Sequence, residues 1–235
     1  MKKILITLCF FSLSSFAQDA LVWGGPGVCP DGCVDAAIHV TQLAGFNPMI
    51  VTPENFDPAL LEKAKVWVQP GGKAATAAKA MGPEIRKAIR EFVAAGGGYT
   101  GFCAGGFLTT PKVGRTDVDG LGIIDGKTKH WRKSRGNPSV EKLLTSSGLK
   151  HHYWEGGPYF IFSSIQRKKI NIVSRYLRGG AINALEASYG LGRVSTSGTH
   201  PEAPKWWYED IRFSDPDDLD HYEAARMIKW SASAL

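Results

Sequence analysis

The hydrophobic pattern of the chain alternates short apolar runs with longer segments of helical periodicity. Four short runs are typical of buried strands: Ala20–Trp23, Pro48–Val51, Lys65–Gln69 and Tyr99–Phe102. Between them, apolar residues recur at helical spacing over about residues 31–43 and 83–96. Strands that alternate with helices in this way form a mainly parallel sheet with right-handed connections. The pattern therefore predicts an α/β fold of the flavodoxin-like type, a three-layer sandwich with helices on both faces of the sheet.

The second half of the chain has a less regular pattern. Its apolar runs predict four strands, at Val118–Ile124, Tyr159–Phe162, Ala181–Ser188 and Arg193–Ser197, of which the last two form a hairpin. A short helix is predicted at Val140–Leu144, and a final helix is predicted to begin near Ser214. On the helix at residues 31–43 we expect Val34, Ile38 and Leu43 to face inward.

The stretch Gly96–Phe107 has the composition of a sharp turn between a strand and a helix. Cys103 directly follows the apolar run Tyr99–Phe102, and a series of small residues follows the cysteine. Glycine on both sides allows close backbone approach, as in the nucleophile elbow that presents serine in G-x-S-x-G sequences. The positive end of the following helix favours thiolate over thiol. Cys103 is therefore the candidate nucleophile.

A cysteine nucleophile needs a base and a group that orients the base. His200 and Glu202 are two residues apart, so in an extended chain both side chains point to the same side. The carboxylate would then hold one imidazole nitrogen while the other nitrogen faces Cys103. The spacing supports a Cys-His-Glu triad.

Five motifs occur in a fixed order along the chain: Gly24-Gly-Pro-Gly27, Gln69-Pro-Gly-Gly72, Gly101-Phe-Cys-Ala-Gly-Gly106, Glu155-Gly-Gly-Pro158 and Gly198-Thr-His-Pro-Glu202. With them the chain resembles the class I glutamine amidotransferase superfamily. Within that superfamily it looks most like the N-terminal domain found on some biotin-protein ligases. The resemblance implies that Cys103 is the nucleophile and that His200 and Glu202 are its partners.

The same resemblance implies further site residues. Backbone N–H groups of Gly71 or Gly72, together with that of Ala104, would form the oxyanion hole, although a plain strand-to-loop turn is the alternative at the two glycines. Substrate contacts are expected at Gly25, Gly105, Phe107, Tyr153 and Glu155. The alternative for the aromatic residues is packing against the sheet. Phe107 stands where the glutaminases of the superfamily carry Gln, so free glutamine is not the expected substrate.

Residues 1–17 have the features of a cleaved signal peptide: a basic start, a short apolar run and small residues at Ser15 and Ala17. The apolar run is shorter than the roughly 20 residues that a membrane-spanning helix needs. We therefore expect export to a bacterial periplasm, without stable membrane insertion, and a mature chain that starts at Gln18. Residues 18–235 suit a single α/β domain. The net charge of +6 is only weak evidence for an anionic partner.

Export changes the interpretation of the cysteines. Cys29 and Cys33 lie close enough for a small-loop disulfide, and Pro30 and Gly32 favour the turn that such a loop needs. The alternative is that Cys33 is an ordinary buried residue and Cys29 a loop thiol. In either case Cys103 is expected to be unpaired.

The densest basic run, residues 127–135, contains Trp131. It would suit an anionic glycan, a lipid headgroup or a nucleic acid, but a solvated loop is the favoured interpretation. No zinc spacing or nucleic-acid-binding motif accompanies it, so we expect no nucleic-acid partner. His151 and His152 are adjacent on a predicted extended segment and would point opposite ways, so no metal site is predicted, and no cofactor is expected.

Together these features predict an exported cysteine-dependent hydrolase or amidotransferase-like enzyme that acts on a small-molecule or peptide amide, with cell-envelope compounds as candidate substrates. No synthetase domain accompanies the chain, and ammonia released in a periplasm would have no obvious user. The alternative from another class is a binding or regulatory module that keeps the fold without the chemistry. A second enzymatic alternative is the thiol-dependent stress and small-carbonyl chemistry found on related folds.

Overall fold

The computed structural model describes residues 18–131 and 137–233. The predicted signal peptide, residues 1–17, and part of the basic run, residues 132–135, lie outside the described residues. No helix among the described residues is long and apolar enough to cross a membrane.

The strands are β1 (Ala20–Trp23), β2 (Pro48–Val51), β3 (Val66–Gln69), β4 (Gly98–Phe102), β5 (Lys127–His130), β6 (Ser139–Thr145), β7 (Gly148–Trp154), β8 (Pro158–Ile161), β9 (Ile170–Tyr176), β10 (Ile182–Tyr189) and β11 (Gly192–Ser197). The helices are α1 (Cys33–Leu43), α2 (Ala59–Lys63), α3 (Ala74–Ala94), α4 (Ala104–Leu108), α5 (Ser164–Arg167), α6 (Lys205–Asp210) and α7 (His221–Ala232).

The centre of the sheet is parallel, in the order β2-β1-β3-β4-β11. The sheet continues through β10, β9, β6 and β7 as antiparallel strands, with β8 and β5 attached beside β10. The α/β class and the parallel centre are confirmed, as is the hairpin of β10 and β11. The antiparallel part is more extensive than the sequence pattern predicted.

Helices cover both faces of the central sheet, because its short buried strands are apolar on both sides. Ala20 and Val22 of β1 pack in one core with α1 and α7, whereas Leu21 and Trp23 pack in the other core with α3. Helix α3 is interrupted at Gly82, and its second part begins at Pro83, where the sequence predicted a helix start. These packed layers hold the carboxyl ends of β3 and β4 side by side.

Two predicted elements have a different secondary structure. Residues 140–144 belong to strand β6 and not to a helix; Leu143 is buried, whereas Lys142 and Leu144 are exposed. The sequence did not show this alternation, because the buried position 141 is occupied by the charged residue Glu141. Its Oε2 accepts a hydrogen bond from Trp131 Nε1 at 3.1 Å. The run 118–124 is not a strand, because the N–H groups of its buried residues donate to the carbonyl groups of Leu108 and Thr109 at the end of α4.

Two helices differ from prediction in their start or inner face. Helix α7 begins at His221 and not near Ser214, because the intervening residues form turns in which Asp218 has a positive φ of 62°. On α1 the predicted inner residues Val34, Ile38 and Leu43 are only partly buried. Small residues and Val40 form the buried face instead, which allows close approach to the sheet and α7: Cys33, Ala36, Ala37 and Val40.

Candidate active site

Cys103 stands at the turn between β4 and α4, as the sequence predicted. Its backbone has φ 48° and ψ −100°, a conformation that non-glycine residues rarely adopt. Its N–H donates to the carbonyl of Ser197 at 2.9 Å, and its own carbonyl accepts from the N–H of Gly106 at 2.9 Å. Helix α4 has only 5 residues, so its dipole contributes less than a full helix would. The strained turn is therefore held by β11 and by the first turn of α4.

Small residues beside Cys103 are required by backbone contacts. A Cβ atom at Gly101 would lie 2.7 Å from the backbone of Gly105, and one at Gly105 would lie 2.5 Å from the carbonyl oxygen of Gln69. Gly105 thus packs against β3, and its role as a substrate contact stays a prediction.

His200 and Glu202 lie in the loop that follows β11. His200 Nδ1 lies 2.8 Å from Glu202 Oε1, and both side chains are buried. The chain turns after His200, since Ala203 N–H donates to the His200 carbonyl at 3.1 Å. The pair is thus brought together by a turn, where the sequence argument assumed an extended chain. The backbone N–H of His200 donates to the backbone carbonyl of Tyr153 in β7 at 2.9 Å. This bond fixes the loop to the antiparallel part of the sheet.

The charge state of His200 depends on Cys103. Burial by itself lowers the pKa of His200, but electrostatic interactions and hydrogen bonds with Cys103 and Glu202 raise it well above its usual value. Cys103, His200 and Glu202 therefore form one electrostatically interacting group.

The segment Glu155–Gly157 covers the thiol. Cys103 Sγ donates to the backbone carbonyl of Glu155 at 3.4 Å, and a Cβ atom at Gly157 would lie 3.5 Å from the same sulfur. The side chain of Cys103 is only 3% exposed. The backbone of Glu155 therefore contacts the thiol. The exposed carboxylate of Glu155 accepts a hydrogen bond from Tyr153 Oη at 3.1 Å.

Aromatic side chains form a wall beside His200. The ring of Tyr153 is 5.8 Å from the His200 ring, and that of Trp207 in α6 is 5.3 Å from it, both in edge contact. Tyr208 Oη accepts a hydrogen bond from the Tyr153 N–H at 3.0 Å. Trp207 and Tyr208 belong to a small core that includes Tyr153. Helix α6 has only 6 residues, which is too short for hydrophobic periodicity to indicate its buried face.

The predicted oxyanion-hole residues lie at two places around the triad. Gly71 is against the His200 ring, since a Cβ atom there would lie 2.4 Å from Cε1. Gly72 packs against Gly27 with φ 134°, and Ala104 begins α4 directly after the nucleophile. The N–H groups of Gly71, Gly72 and Ala104 donate to no backbone carbonyl in the described part of the chain.

Gly25 and Phe107 are two other predicted substrate contacts, and both stay predictions. Gly25 packs against Trp23 and Pro53, and no described contact joins it to the triad. Phe107 is buried in the main core, with its ring 4.8 Å from that of His130. Its position four residues after Cys103 places it one helical turn below the elbow, where an apolar side chain faces the interior.

The structure contains the disulfide between Cys29 and Cys33, and Cys103 is free among the described residues. A Cβ atom at Gly71, which would lie 2.4 Å from His200 Cε1, would also lie 3.4 Å from Cys33 Sγ. The disulfide therefore borders the site, which the sequence did not indicate.

The described start of the basic run, residues 127–131, does not form the solvated loop that was the favoured interpretation. Residues 127–130 form β5, and Trp131 stacks on Tyr176 with ring centroids 4.2 Å apart. His130 Nδ1 lies 2.6 Å from the Gly156 carbonyl, and Trp131 N–H donates to the Gly157 carbonyl at 3.1 Å. The start of the run thus secures the segment that covers the thiol.

The fold is that of the class I glutamine amidotransferases. A crystal structure of a glutamine amidotransferase matches with a TM-score of 0.63 and 20% identity, covering 89% of this chain and 98% of the other. PurLQS of Thermotoga maritima matches with 0.62 and 16% identity, covering 89% and 98%. A glutamine amidotransferase of Methylobacillus flagellatus matches with 0.56 and 11% identity, covering 93% of each chain. At these identities the similarity shows the fold alone.

Residues 19–120 match the family model described as biotin-protein ligase, N terminal. This range includes β1 to β4, the elbow and Cys103. The match and the structural similarities confirm the resemblance that the sequence motifs indicated. No curated protein sequence matches the chain significantly.

Proposed function

We propose that the protein is a cysteine-dependent hydrolase of amide bonds that uses Cys103, His200 and Glu202 as a catalytic triad. One observation supports this most strongly: a strained elbow cysteine interacts with a buried histidine whose second nitrogen is bonded to a buried carboxylate. Strain at a reactive side chain is maintained only where the surrounding structure over-determines it, and it is typical of active sites.

In this mechanism the Cys103 thiolate attacks the acyl carbon and the carbonyl π electrons move to oxygen. N–H groups of Ala104 and of Gly71 or Gly72 stabilise the oxyanion. The C–N bond breaks as the His200 imidazolium gives its Nε2 proton to the leaving amine. His200 then takes a proton from water, whose oxygen attacks the thioester carbon. The C–S bond breaks, the carboxylic acid leaves, and the Cys103 thiolate and the His200 imidazolium are restored. Glu202 keeps the proton on Nδ1 throughout.

The proposed substrate is a small or peptide amide other than free glutamine. Phe107 supports this, because its side chain is buried in the core and offers no amide group to a substrate. Glu155 is a candidate contact for the substrate, because the residue is exposed and its backbone carbonyl lies at the Cys103 thiol. The predicted signal peptide would bring the enzyme to the periplasm, where peptides of the cell envelope are the available amides.

The test is intact-mass spectrometry of unreduced protein recovered from an expressing cell, exposed to electrophilic amide and ester probes. Because Cys29 and Cys33 are bonded to each other, a single added mass reports Cys103. We expect no labelling of Cys103→Ala and labelling of His200→Ala slowed by at least about 100-fold. His39→Ala, an exposed histidine on α1, is the matched control and should label like wild type. The same spectrum shows whether the chain starts at Gln18.

Slow labelling that His200→Ala does not alter would reject the triad. It would favour the second candidate, a binding or regulatory module on the same fold. The cover of Glu155–Gly157 over the thiol supports that candidate, because a substrate must displace it to reach the sulfur.

A further inference from the structure

A second cluster of titratable side chains lies on the other side of β7 from the triad. Tyr153 faces His200, whereas its neighbour His152 faces the first turn of α7. His152 Nε2 lies 3.4 Å from Asp220 Oδ2 and 3.4 Å from Glu223 Oε2. The ligand-type atoms of the three residues lie within 4.8 Å of one another. Adjacent histidines on a strand do point opposite ways, but His152 meets carboxylates supplied by a distant helix.

Three polar atoms of this cluster are buried without a hydrogen-bond partner. His152 is fully buried and Asp220 is 4% exposed. Neither His152 Nε2 nor either carboxylate oxygen of Asp220 has a hydrogen-bond partner among the described residues. Burial of such atoms without a partner is unfavourable, so the cluster requires an occupant between them.

The distances in the cluster suit ligands of one ion better than hydrogen bonds. A charge-assisted N–H···O bond is about 2.7–2.9 Å long. The neighbouring pair His151 Nδ1 and Asp217 Oδ1, at 2.7 Å, has that length. Two ligands about 2.1 Å from a tetrahedral Zn²⁺ lie roughly 3.4 Å apart, and this is the separation of His152 Nε2 from both carboxylates.

The other ring nitrogen of His152 is already engaged. His152 Nδ1 lies 2.9 Å from Thr199 Oγ1, and Asn183 Nδ2 donates to the same hydroxyl oxygen at 3.2 Å. A proton on Nδ1, donated to Thr199, leaves the lone pair of Nε2 directed to the carboxylates. Metal-binding histidines are held in this way by a second hydrogen bond.

The charge balance also favours a cation. Asp220 shares the ammonium group of Lys150, which lies 3.4 Å from Asp220 Oδ1, with Asp217, whose Oδ2 lies 3.3 Å from it. His151 also faces Asp217, and Arg226 acts on Glu223, so Asp220 is the carboxylate with the least cationic charge beside it. A proton is the competing occupant. Burial alone lowers the pKa of His152, but Glu223 and Asp220 raise it above its usual value.

We propose that His152, Asp220 and Glu223 bind a divalent first-row transition-metal ion, with Zn²⁺ the best match to one imidazole and two carboxylates in tetrahedral spacing. The ion joins β7 to the start of α7. Through Thr199 it also supports the loop that carries His200. Its role is structural, because the described contacts place His152 and Cys103 on different sides of that loop.

The experiment titrates Co²⁺ into untagged protein that has been stripped with a chelator, and follows the visible absorption of the bound ion. We expect one Co²⁺ per chain, displaced by Zn²⁺ and not by Ca²⁺ or Mg²⁺. Glu223→Gln removes a ligand charge with little change of shape, and it should weaken binding by at least about 100-fold. Glu62→Gln, an exposed carboxylate on α2 away from the cluster, is the matched control and should bind like wild type.

Absence of a stoichiometric ion, or an equal loss in both variants, would overturn the proposal. The ¹⁵N chemical shift of His152 Nε2 in the wild-type protein gives an answer that does not depend on how a variant folds. A shift to the metal-bound range with one equivalent of Zn²⁺ supports the site. An imidazolium value that persists at saturating Zn²⁺ means that a proton occupies the cluster and that the proposal is wrong.

Discussion

At the scale of single residues, the site depends on positions where no side chain fits. Cys103 adopts its positive φ while the glycines around it let β3, β4 and α4 approach one another. Such a backbone conformation costs of order 1–3 kcal/mol, which the surrounding hydrogen bonds must offset. The run of small residues in the sequence reflects this crowding, so the elbow was predictable from composition alone.

Gly71 provides a sharp test of the site geometry. In Gly71→Ala the new methyl group would lie 2.4 Å from His200 Cε1, so the imidazole must move away from Cys103. A displacement of about 1 Å costs on the order of 100-fold in rate. We therefore expect probe labelling of Cys103 to slow by about 100-fold, measured by intact mass.

Gly45→Ala is the control for Gly71→Ala. A Cβ atom at Gly45 would meet nothing within 4 Å, although its φ of 87° makes the substitution strained. It should lower stability without changing the labelling rate of the folded protein. If Gly71→Ala labels as fast as Gly45→Ala, His200 is not the group that activates the thiol.

At the scale of elements, the pattern predicted the central strands and failed where polar residues are buried or small residues form a helix face. Strand β6 shows the reason. Its buried positions are Glu141 and Leu143, one charged and one apolar, so burial does not follow an alternation of apolar and polar residues. Only the partner of Glu141, Trp131 Nε1 on a separate segment, makes that inner position acceptable.

Leu143 and Leu144 test the strand assignment. Leu143 is fully buried with Trp154 and Tyr176, whereas its neighbour Leu144 is 52% exposed. We expect Leu143→Ala to lower the free energy of unfolding by about 2–5 kcal/mol and Leu144→Ala to change it by less than about 0.5 kcal/mol. Urea unfolding measures both. Equal effects would mean that the two side chains do not face opposite sides, as a helix or a shifted register would predict.

At the scale of the whole molecule, the triad joins the parallel and antiparallel parts of the sheet. Cys103 follows β4, and His200 is bonded to β7, which lies at the far end of the strand order. Folding therefore brings a charged group into the interior, and the stability of the protein should depend on its protonation.

The pH dependence of stability follows from the raised pKa of His200. A histidine whose pKa is higher in the folded than in the unfolded protein contributes stability below its unfolded value of about 6.5, and this contribution is lost as the pH rises through the folded value. We expect the free energy of unfolding to fall as the pH is raised above about 6.5. In Glu202→Gln the pKa of His200 should be lower and the fall correspondingly smaller. Urea unfolding over a pH series measures both slopes.

His39→Ala should keep the wild-type slope, because this exposed histidine lies outside the triad. Equal slopes in the wild type and Glu202→Gln would show that Glu202 does not hold the charge of His200.

The sequence by itself determined the α/β class and the position of Cys103 at a strand-to-helix turn, whereas the roles of His200 and Glu202 stay predictions. The class and the turn are properties of local pattern: apolar runs and glycine positions, which neighbouring residues enforce. Only the tertiary structure decided which groups surround them. The cover of Glu155–Gly157, the disulfide beside His200 and the cluster of His152 with α7 all join segments far apart in the chain. Such contacts depend on how strands are ordered in the sheet, and no local pattern encodes that order.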